Sequence, residues 1–317
     1  MFIAQAYKAQ NGFWRYLVGS LIIFIASGIG QIPLVVALFI KKGPELMQGM
    51  DESDLFTTLN KNLTFFLILI SFVFALGGIL FAVKFLHQQK FKDMVTTRPK
   101  FDWSRAWFAF GLVTVYTVVM TLAAYFYSPE DLLLTFDPVP FAILVVIAVL
   151  FVPIQTSVEE FVFRGYLMQG FGILAKNRWF PLVMTSLIFG GMHYFNPEIG
   201  AMGEIVMVFY FGTGFLLGIM TLMDEGMELA LGFHAGNNLI TALLVTADWT
   251  AFQTDSIFKD ISDPKADLFD VLPVFIIYPI FLGILAYKYK WTGWKEKLFG
   301  PVEPPQEPSL EDHLAAD

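Results

Sequence analysis

The 317-residue chain has no cysteine and few charged residues. The absence of cysteine excludes disulfides, thiolate zinc sites and a cysteine nucleophile, and it leaves the redox compartment open. Any bound metal would need histidine and carboxylate ligands. Only 15% of the residues are charged, whereas soluble domains carry about 25%. So little charge cannot cover a water-exposed surface in the usual way, which indicates a membrane protein.

The apolar residues that replace the charges support the same class. They make up 56% of the chain and include 35 phenylalanines, which in lipid can cover the outside of helices as well as their contacts. The formal net charge is -8, but acids and bases are concentrated in different loops. No basic stripe interleaved with aromatics occurs outside the membrane-flanking segments, so we predict no nucleic-acid partner.

Eight apolar runs approach the length of about 20 residues that a membrane-spanning helix requires. In chain order they are Phe13–Ile40, Leu63–Leu86, Ala106–Tyr127, Phe141–Gly170, Phe180–Phe195, Met202–Met223, Leu229–Val245 and Val271–Tyr287. The fourth run is too long for one perpendicular crossing, and the fifth and seventh are short and contain histidine. The sequence predicts an all-α, polytopic membrane bundle of about eight transmembrane helices.

The distribution of apolar and charged residues also predicts the domain organisation and the orientation in the membrane. Lysine and arginine concentrate in the loops after the second and fourth runs and in the C-terminal segment, which predicts that both termini are cytoplasmic. We divide the chain into N-terminal helices (1–140), a polar core (141–245), a loop with the last helix (246–290) and a disordered cytoplasmic tail (291–317). Asp224, Glu225 and Glu228 are predicted to be solvated loop residues.

Three charged residues lie together in the fourth run. Glu160 and Arg164 are four positions apart, which puts them on one helical face and predicts an ion pair. Glu159 lies about 100° round the helix, so we expect it to stay free to take up a proton. A charge at the centre of a bilayer costs at least about 2.5 kcal/mol, so such residues persist when they are paired, hydrated or functional.

Two histidines lie in the short runs, each beside small residues. His193 ends the motif FGGMH, and His234 begins HAGNN, one turn before Asn238. The neighbouring glycine and alanine residues permit close helix approach. Polar groups on three helices avoid lipid only in a bundle interior, so we predict that they converge.

The three motifs together resemble a known family. Glu159, Glu160 and Arg164 form EExxxR, Phe189 and His193 form FxxxH, and His234 and Asn238 form HxxxN. This order and spacing resemble the CPBP (Abi) intramembrane proteases, which are related to the CAAX prenyl endopeptidase. The resemblance covers about residues 141–245.

The resemblance implies a role for each catalytic residue. Glu159 and His193 would hold and deprotonate the attacking water. His234 and Asn238 would stabilise the oxyanion that forms on the scissile carbonyl, a task that imidazole and carboxamide N–H groups can perform.

The other motif residues would support this site, with Glu160 and Arg164 orienting the helix and Phe189 packing against it. The expected substrate is a membrane-embedded or lipid-anchored peptide or protein, the expected location is a bacterial inner membrane, and no cofactor is expected.

Three alternatives remain open at the level of sequence. His193, His234 and Glu159 would suffice as ligands of a catalytic zinc. Glu159, Glu160 and His193 would also suit a proton relay in an ion-coupled transporter. Finally, an immunity or binding protein could keep the fold without catalysis.

Overall fold

The structure is a computed structural model that describes residues 1–43 and 53–304. Its α-helices are α1 (Phe13–Lys42), α2 (Ser53–Thr58), α3 (Lys61–Phe81), α4 (Phe91–Val95), α5 (Trp103–Tyr127), α6 (Pro138–Glu160), α7 (Met168–Ala175), α8 (Trp179–Gly191), α9 (Pro197–Met202), α10 (Met207–Asp224), α11 (Glu228–Leu244), α12 (Leu268–Tyr289) and α13 (Trp294–Phe299). The π-helical segment Ala82–Leu86 extends α3, and Phe161–Leu167 joins α6 to α7. The 3-10 helices are Ile3–Lys8 and Glu204–Val206.

Local sequence sets where several long helices begin. The side chains of Asn60, Asp102 and Asp137 accept hydrogen bonds from the first backbone N–H groups of α3, α5 and α6. These groups have no partner within the helix, so a side-chain oxygen at this position stabilises the helix start. Pro138 follows Asp137 as the first residue of α6, where its missing N–H costs nothing.

Six helical stretches within the described residues are long and apolar enough to cross a membrane. They are Phe13–Lys42, Lys61–Leu86, Trp103–Tyr127, Pro138–Ala175, Glu204–Asp224 and Asp270–Tyr289. The fifth and seventh predicted spans correspond to α8, with 13 residues, and α11, with 17 residues. At 1.5 Å per residue these two helices are only about 20 and 26 Å long. The predicted polytopic helical bundle is confirmed, with two helices shorter than the ~30 Å hydrocarbon core.

Large apolar side chains point away from the bundle along the outer helices. Phe24 on α1 and Phe126 on α5 are each 74% exposed. Water would penalise such an apolar surface, but lipid does not. The chain is therefore an integral membrane protein.

Helix α11 lies at the centre of the bundle, packed against α5 and α6. A Cβ atom at Gly232 of α11 would overlap the backbone carbonyl oxygen of Ala106 on α5. At Gly236 it would lie 2.9 Å from the Phe110 carbonyl oxygen. The two glycines therefore allow the backbones of α5 and α11 to approach closely, which brings α11 and its polar residues towards α6.

Replacing Gly232 with alanine is expected to lower the free energy of unfolding by about 1–3 kcal/mol, because the new methyl group forces the two backbones apart. Denaturant titration in detergent micelles, followed by tryptophan fluorescence, measures the change. Gly111→Ala on α5 is the matched control, since a Cβ there meets open space. Equal effects of the two substitutions would contradict the close-approach explanation.

Three short strands, absent from the sequence prediction, form a small sheet in the described part of the chain. They are β1 (Leu132–Leu134), β2 (Val245–Ala247) and β3 (Phe258–Asp260), in the order β1-β3-β2. β1 pairs with β3 antiparallel and β2 pairs with β3 parallel. The sheet links the loop after α5 to the segment after α11.

The loop between α10 and α11 is an ion-paired cluster, so the prediction that Asp224 and Glu228 are solvated was wrong. Both side chains are almost completely buried. Arg98 pairs with Asp224 at 2.8 Å and with Glu228 at 2.9 Å, and Arg105 pairs with Asp224 at 2.5 Å. Arg98 lies in the loop before α5, and Arg105 lies near the start of α5. Both are far from Asp224 and Glu228 in the sequence, so no local pattern indicates the pairing.

Part of the segment 291–317, predicted as a disordered tail, is folded. Helix α13 lies within it, and the flanking residues Trp291 and Val302 are buried. The Lys297 ammonium donates to the Met223 carbonyl oxygen at 2.6 Å, which ties α13 to the end of α10. Residues 305–317 of this segment lie outside the described residues.

Candidate active site

The fourth membrane-length stretch carries both glutamates at the point where its helical geometry changes. α6 ends at Glu160, and the π-helical segment Phe161–Leu167 follows without a break. A π segment shifts backbone hydrogen bonds to the fifth residue and occurs frequently at functional sites. The change in helical geometry therefore coincides with the EExxxR motif.

Glu160 and Arg164 form the ion pair that their spacing predicts. Arg164 Nη1 lies 2.9 Å from Glu160 Oε1, and both side chains are fully buried. Arg164 Nη2 also donates to the Gly214 carbonyl oxygen on α10 at 3.2 Å. The guanidinium carbon lies 4.4 Å from the ring centroid of Phe189, a cation–π contact with α8. Arg164 thus connects α6, α8 and α10.

Glu160 has a second partner on α11. His234 Nδ1 lies 2.8 Å from the same Glu160 oxygen, and His234 is almost fully buried. Because a carboxylate accepts hydrogen bonds, this contact identifies Nδ1 as a protonated nitrogen of His234. His234 Nε2 then faces Glu159 Oε2 at 3.6 Å. The imidazole lies between the two glutamates.

Glu159 lies outside the Glu160–Arg164 ion pair, as its position predicts, and has partners of its own. Gln155 Nε2, one turn earlier on α6, donates to Glu159 Oε1 at 2.5 Å. Gln155 Oε1 accepts from Asn238 Nδ2 at 3.4 Å. The Glu159 side chain is 15% exposed, whereas Glu160 is fully buried. Of the two carboxylates, Glu159 is therefore the one with accessible surface.

Gln155 was missed at the level of sequence. The signal for it was present, because a polar residue one turn before Glu159 in an apolar helix shares its face. The neighbouring Asn237 is exposed and donates to Asn238 Oδ1 at 3.1 Å. Asn238, and not Asn237, is thus the amide connected to the glutamate cluster.

His193 lies in the turn after α8, beyond the end of the helix at Gly191. Its Nδ1 lies 2.7 Å from the Phe189 carbonyl oxygen, so Nδ1 is the donor and Nε2 carries the lone pair of the neutral ring. The imidazole stacks on the ring of Tyr210, with centroids 4.3 Å apart and planes at 20°. Tyr210 was not predicted as a site residue.

Phe189 is the packing centre that joins the three motifs. Its buried ring contacts Arg164, and its centroid lies 4.8 Å from that of His193 and 6.0 Å from that of His234. The seven predicted site residues therefore belong to one group. Five of them, Glu159, Glu160, Arg164, His234 and Asn238, are connected by polar or charged contacts that include Gln155, and Phe189 packs against this set. His193 joins this group through Phe189.

The zinc alternative requires His193, His234 and Glu159 to act as three ligands of one ion. Within residues 1–43 and 53–304, no group of three or more histidine and carboxylate side chains is arranged to hold a metal ion. His234 Nδ1 faces Glu160 and His193 Nδ1 faces the Phe189 carbonyl oxygen, which leaves only the Nε2 atoms of the two histidines as candidate ligands. The described residues therefore contain no preformed three-ligand zinc site.

Comparison with known proteins agrees with the motifs. Residues 138–240 match the family described as "Type II CAAX prenyl endopeptidase Rce1-like". The chain is also 29% identical over 242 residues to "Uncharacterized protein YyaK" of Bacillus subtilis (strain 168). The aligned residues cover 75% of this chain and 80% of that relative. No solved structure matches the chain. The resemblance to the CAAX endopeptidases and the CPBP family is confirmed, and the matched segment contains every motif residue.

Proposed function

From the match of residues 138–240 to the type II CAAX prenyl endopeptidases, we propose that this integral membrane protein is an intramembrane endopeptidase. It hydrolyses a peptide bond of a membrane-embedded or lipid-anchored protein by means of a water molecule that Glu159 activates. The observation that carries the proposal is the contrast between the two glutamates. Glu160 is fully buried between Arg164 and His234, whereas Glu159 is partly exposed beside the same histidine.

Glu159 is suited to act as the general base. Gln155 holds one carboxylate oxygen, and the other lies towards His234, so the orientation of the carboxylate is defined. Glu159 removes a proton from water, whose oxygen attacks the scissile carbonyl carbon. The C–N bond then breaks, and Glu159 returns the proton to the leaving amine. The Nε2 lone pair of His193 accepts the second hydrogen bond of the water.

His234 and Asn238 are the donors for the oxyanion. Glu160 accepts a hydrogen bond from His234 Nδ1–H, so the oxyanion role requires the doubly protonated ring, in which Nε2 also donates. Asn238 uses one amide hydrogen for Gln155 and has a second one to donate. With His234 charged, two carboxylates balance one guanidinium and one imidazolium. A buried site without net charge avoids a large desolvation cost.

The proposed orientation in the membrane rests on the basic residues that meet at one end of the bundle. Arg98, Arg178 and Lys297 come from three distant segments, and all contact the junction of α10 and α11 (residues 223–228). The amino group of Met1 lies 3.9 Å from Glu225 in the same loop. Positive residues mark the cytoplasmic end, which supports a cytoplasmic N-terminus and a cytoplasmic α13 in a bacterial inner membrane.

Activity without a metal is a direct prediction of the glutamate mechanism. We expect that 1,10-phenanthroline leaves the rate of cleavage within about twofold, because the base is a carboxylate and the electrophilic groups are side-chain N–H donors. The rate is measured after chelator treatment and again after zinc is added back. Loss of activity with the chelator and recovery with zinc would overturn this mechanism.

The proposed activity is tested with membrane-anchored peptides of varied sequence, some of them prenylated, in proteoliposomes. Mass spectrometry of the products identifies both cleavage and the bond that is cut. We expect cleavage by the native protein and none by Glu159→Gln. Equal cleavage by both proteins would contradict the role of Glu159, and an intact library with the native protein would contradict the endopeptidase.

A further inference from the structure

Tyr210 on α10 contacts the proposed site from a helix that carries none of the three motifs. Its ring stacks on His193, and the Phe189 ring contacts the same imidazole at 52°. The Nδ1 hydrogen bond to the Phe189 carbonyl oxygen restrains one edge of the imidazole but leaves its tilt undefined. The stacked Tyr210 ring contacts the face of the imidazole and thereby limits its tilt. Together the contacts define the direction in which Nε2 points.

Tyr210 is itself held by a set of polar contacts. Its hydroxyl donates a hydrogen bond to Glu198 Oε1. Asn196 Nδ2 donates to the Tyr210 hydroxyl at 3.2 Å and to Glu198 Oε1 at 3.1 Å. The other oxygen of Glu198 accepts from the backbone N–H of Ala251 at 3.0 Å. The carboxylate therefore anchors the tyrosine to α9 and to the segment after β2.

A backbone hydrogen bond also connects this set of polar contacts to His193. The Asn196 N–H donates to the His193 carbonyl oxygen at 3.0 Å, which closes the turn between α8 and α9. Tyr210 is therefore linked to His193 twice, through the stacked ring and through the loop that holds its hydroxyl.

We propose that Tyr210, anchored by Glu198, is the positioning residue that orients the His193 imidazole towards the water activated by Glu159. This inference rests on the proposed hydrolytic function. The hydroxyl of Tyr210 is occupied by Glu198, so the contribution of Tyr210 is made through its ring and not through contact with the substrate. Misplacement of a catalytic group by about 1 Å can lower a rate 100-fold.

The central test is Tyr210→Leu, which removes both the stacked ring and the hydroxyl. We expect kcat to fall roughly 10- to 100-fold while KM changes less than about twofold, because the substrate does not touch this residue. Tyr210→Phe keeps the stacked ring and is expected to lose less. Tyr278→Leu is the matched control, since Tyr278 is a partly buried tyrosine whose hydroxyl contacts Thr213 on α10 at 2.8 Å. It should retain the native kcat.

A second variant tests the anchor without altering the packing of α10. Glu198→Ala is expected to lower kcat at least as much as Tyr210→Phe, because it also removes the contacts of Glu198 with Asn196 and Ala251. Adding Tyr210→Phe to Glu198→Ala should cause little further loss, because the hydrogen bond between the two residues is already absent. This comparison keeps the inference testable if Tyr210→Leu does not fold. Additive losses would contradict the anchor. A rise in KM at constant kcat would assign Tyr210 to substrate binding and overturn the inference.

NMR of protein labelled with ¹⁵N-histidine gives a readout that needs no catalysis. The ring signals of His193, assigned from their loss in His193→Asn, should move in Tyr210→Leu and stay near their native positions in Tyr210→Phe. If no protein cleaves any peptide but these shifts occur, the proposed function fails and the positioning stands. If the native protein cleaves and Tyr210→Leu changes neither kcat nor the His193 signals, the positioning role is refuted.

Discussion

Replacing Glu159 with glutamine is expected to lower kcat for peptide cleavage by roughly 100- to 10,000-fold, the usual contribution of a general base. The amide has almost the same shape as the carboxylate, and its oxygen can still accept the hydrogen bond from Gln155. It cannot take a proton from water at neutral pH. The rate is measured under single-turnover conditions with a peptide cleaved by the native protein, so that product release does not mask the chemical step.

The fold of Glu159→Gln should remain intact. The Glu159 side chain is partly exposed, and the ion pair of Arg164 is formed with Glu160, which the substitution leaves unchanged. Glu204→Gln is the matched control, because Glu204 is an exposed glutamate that contacts only the Tyr194 hydroxyl among the hydrogen bonds of the described residues. Native activity in Glu159→Gln, or equal losses in the two variants, would remove Glu159 from the mechanism.

Replacing Arg164 with methionine is expected to lower the free energy of unfolding by about 3–5 kcal/mol. Methionine fills much of the same volume but leaves the fully buried Glu160 carboxylate without its guanidinium. The Gly214 carbonyl oxygen also loses a donor, and Phe189 loses its cation–π contact. Denaturant titration in lipid–detergent bicelles, monitored by tryptophan fluorescence, measures the loss.

The double variant Arg164→Met with Glu160→Gln separates charge from packing. Removing both members of a buried pair costs much less than removing one, so the double variant should be more stable than Arg164→Met alone. The glutamine oxygen can still accept the hydrogen bond from His234 Nδ1–H, so the contact with α11 is retained. If the double variant is no more stable than the single one, the unpaired charge does not cause the loss.

The parts of the site that follow from spacing on one helix could be predicted. The four-residue separation of Glu160 and Arg164 fixes both on one face, and the ion pair is present. The cost of polar groups in lipid predicts that the three motifs converge, and Phe189 lies between them in the structure. The membrane-length runs likewise follow from apolar composition alone.

The partners of Glu159 could not be predicted in the same way. The sequence indicates that Glu159 is left over after Glu160 binds Arg164, but the approach of α11 places His234 between both glutamates. That approach depends on where α5, α6 and α11 cross. Gly232 and Gly236 allow it by leaving room for the α5 backbone, and the sequence does not show which helix lies opposite them. The stacking of Tyr210 on His193 depends on the rotation of α10 against the turn after α8.

The sequence by itself determined the membrane environment, the helical class and the set of candidate site residues, because these depend on composition and on spacing within single helices. Only the tertiary structure decided which side chains share a hydrogen bond, that Glu160 contacts both Arg164 and His234, and that Gln155 and Tyr210 contact Glu159 and His193. The physical reason is that helix crossing angles and axial rotations arise from packing between segments distant in the chain, and no local pattern encodes them.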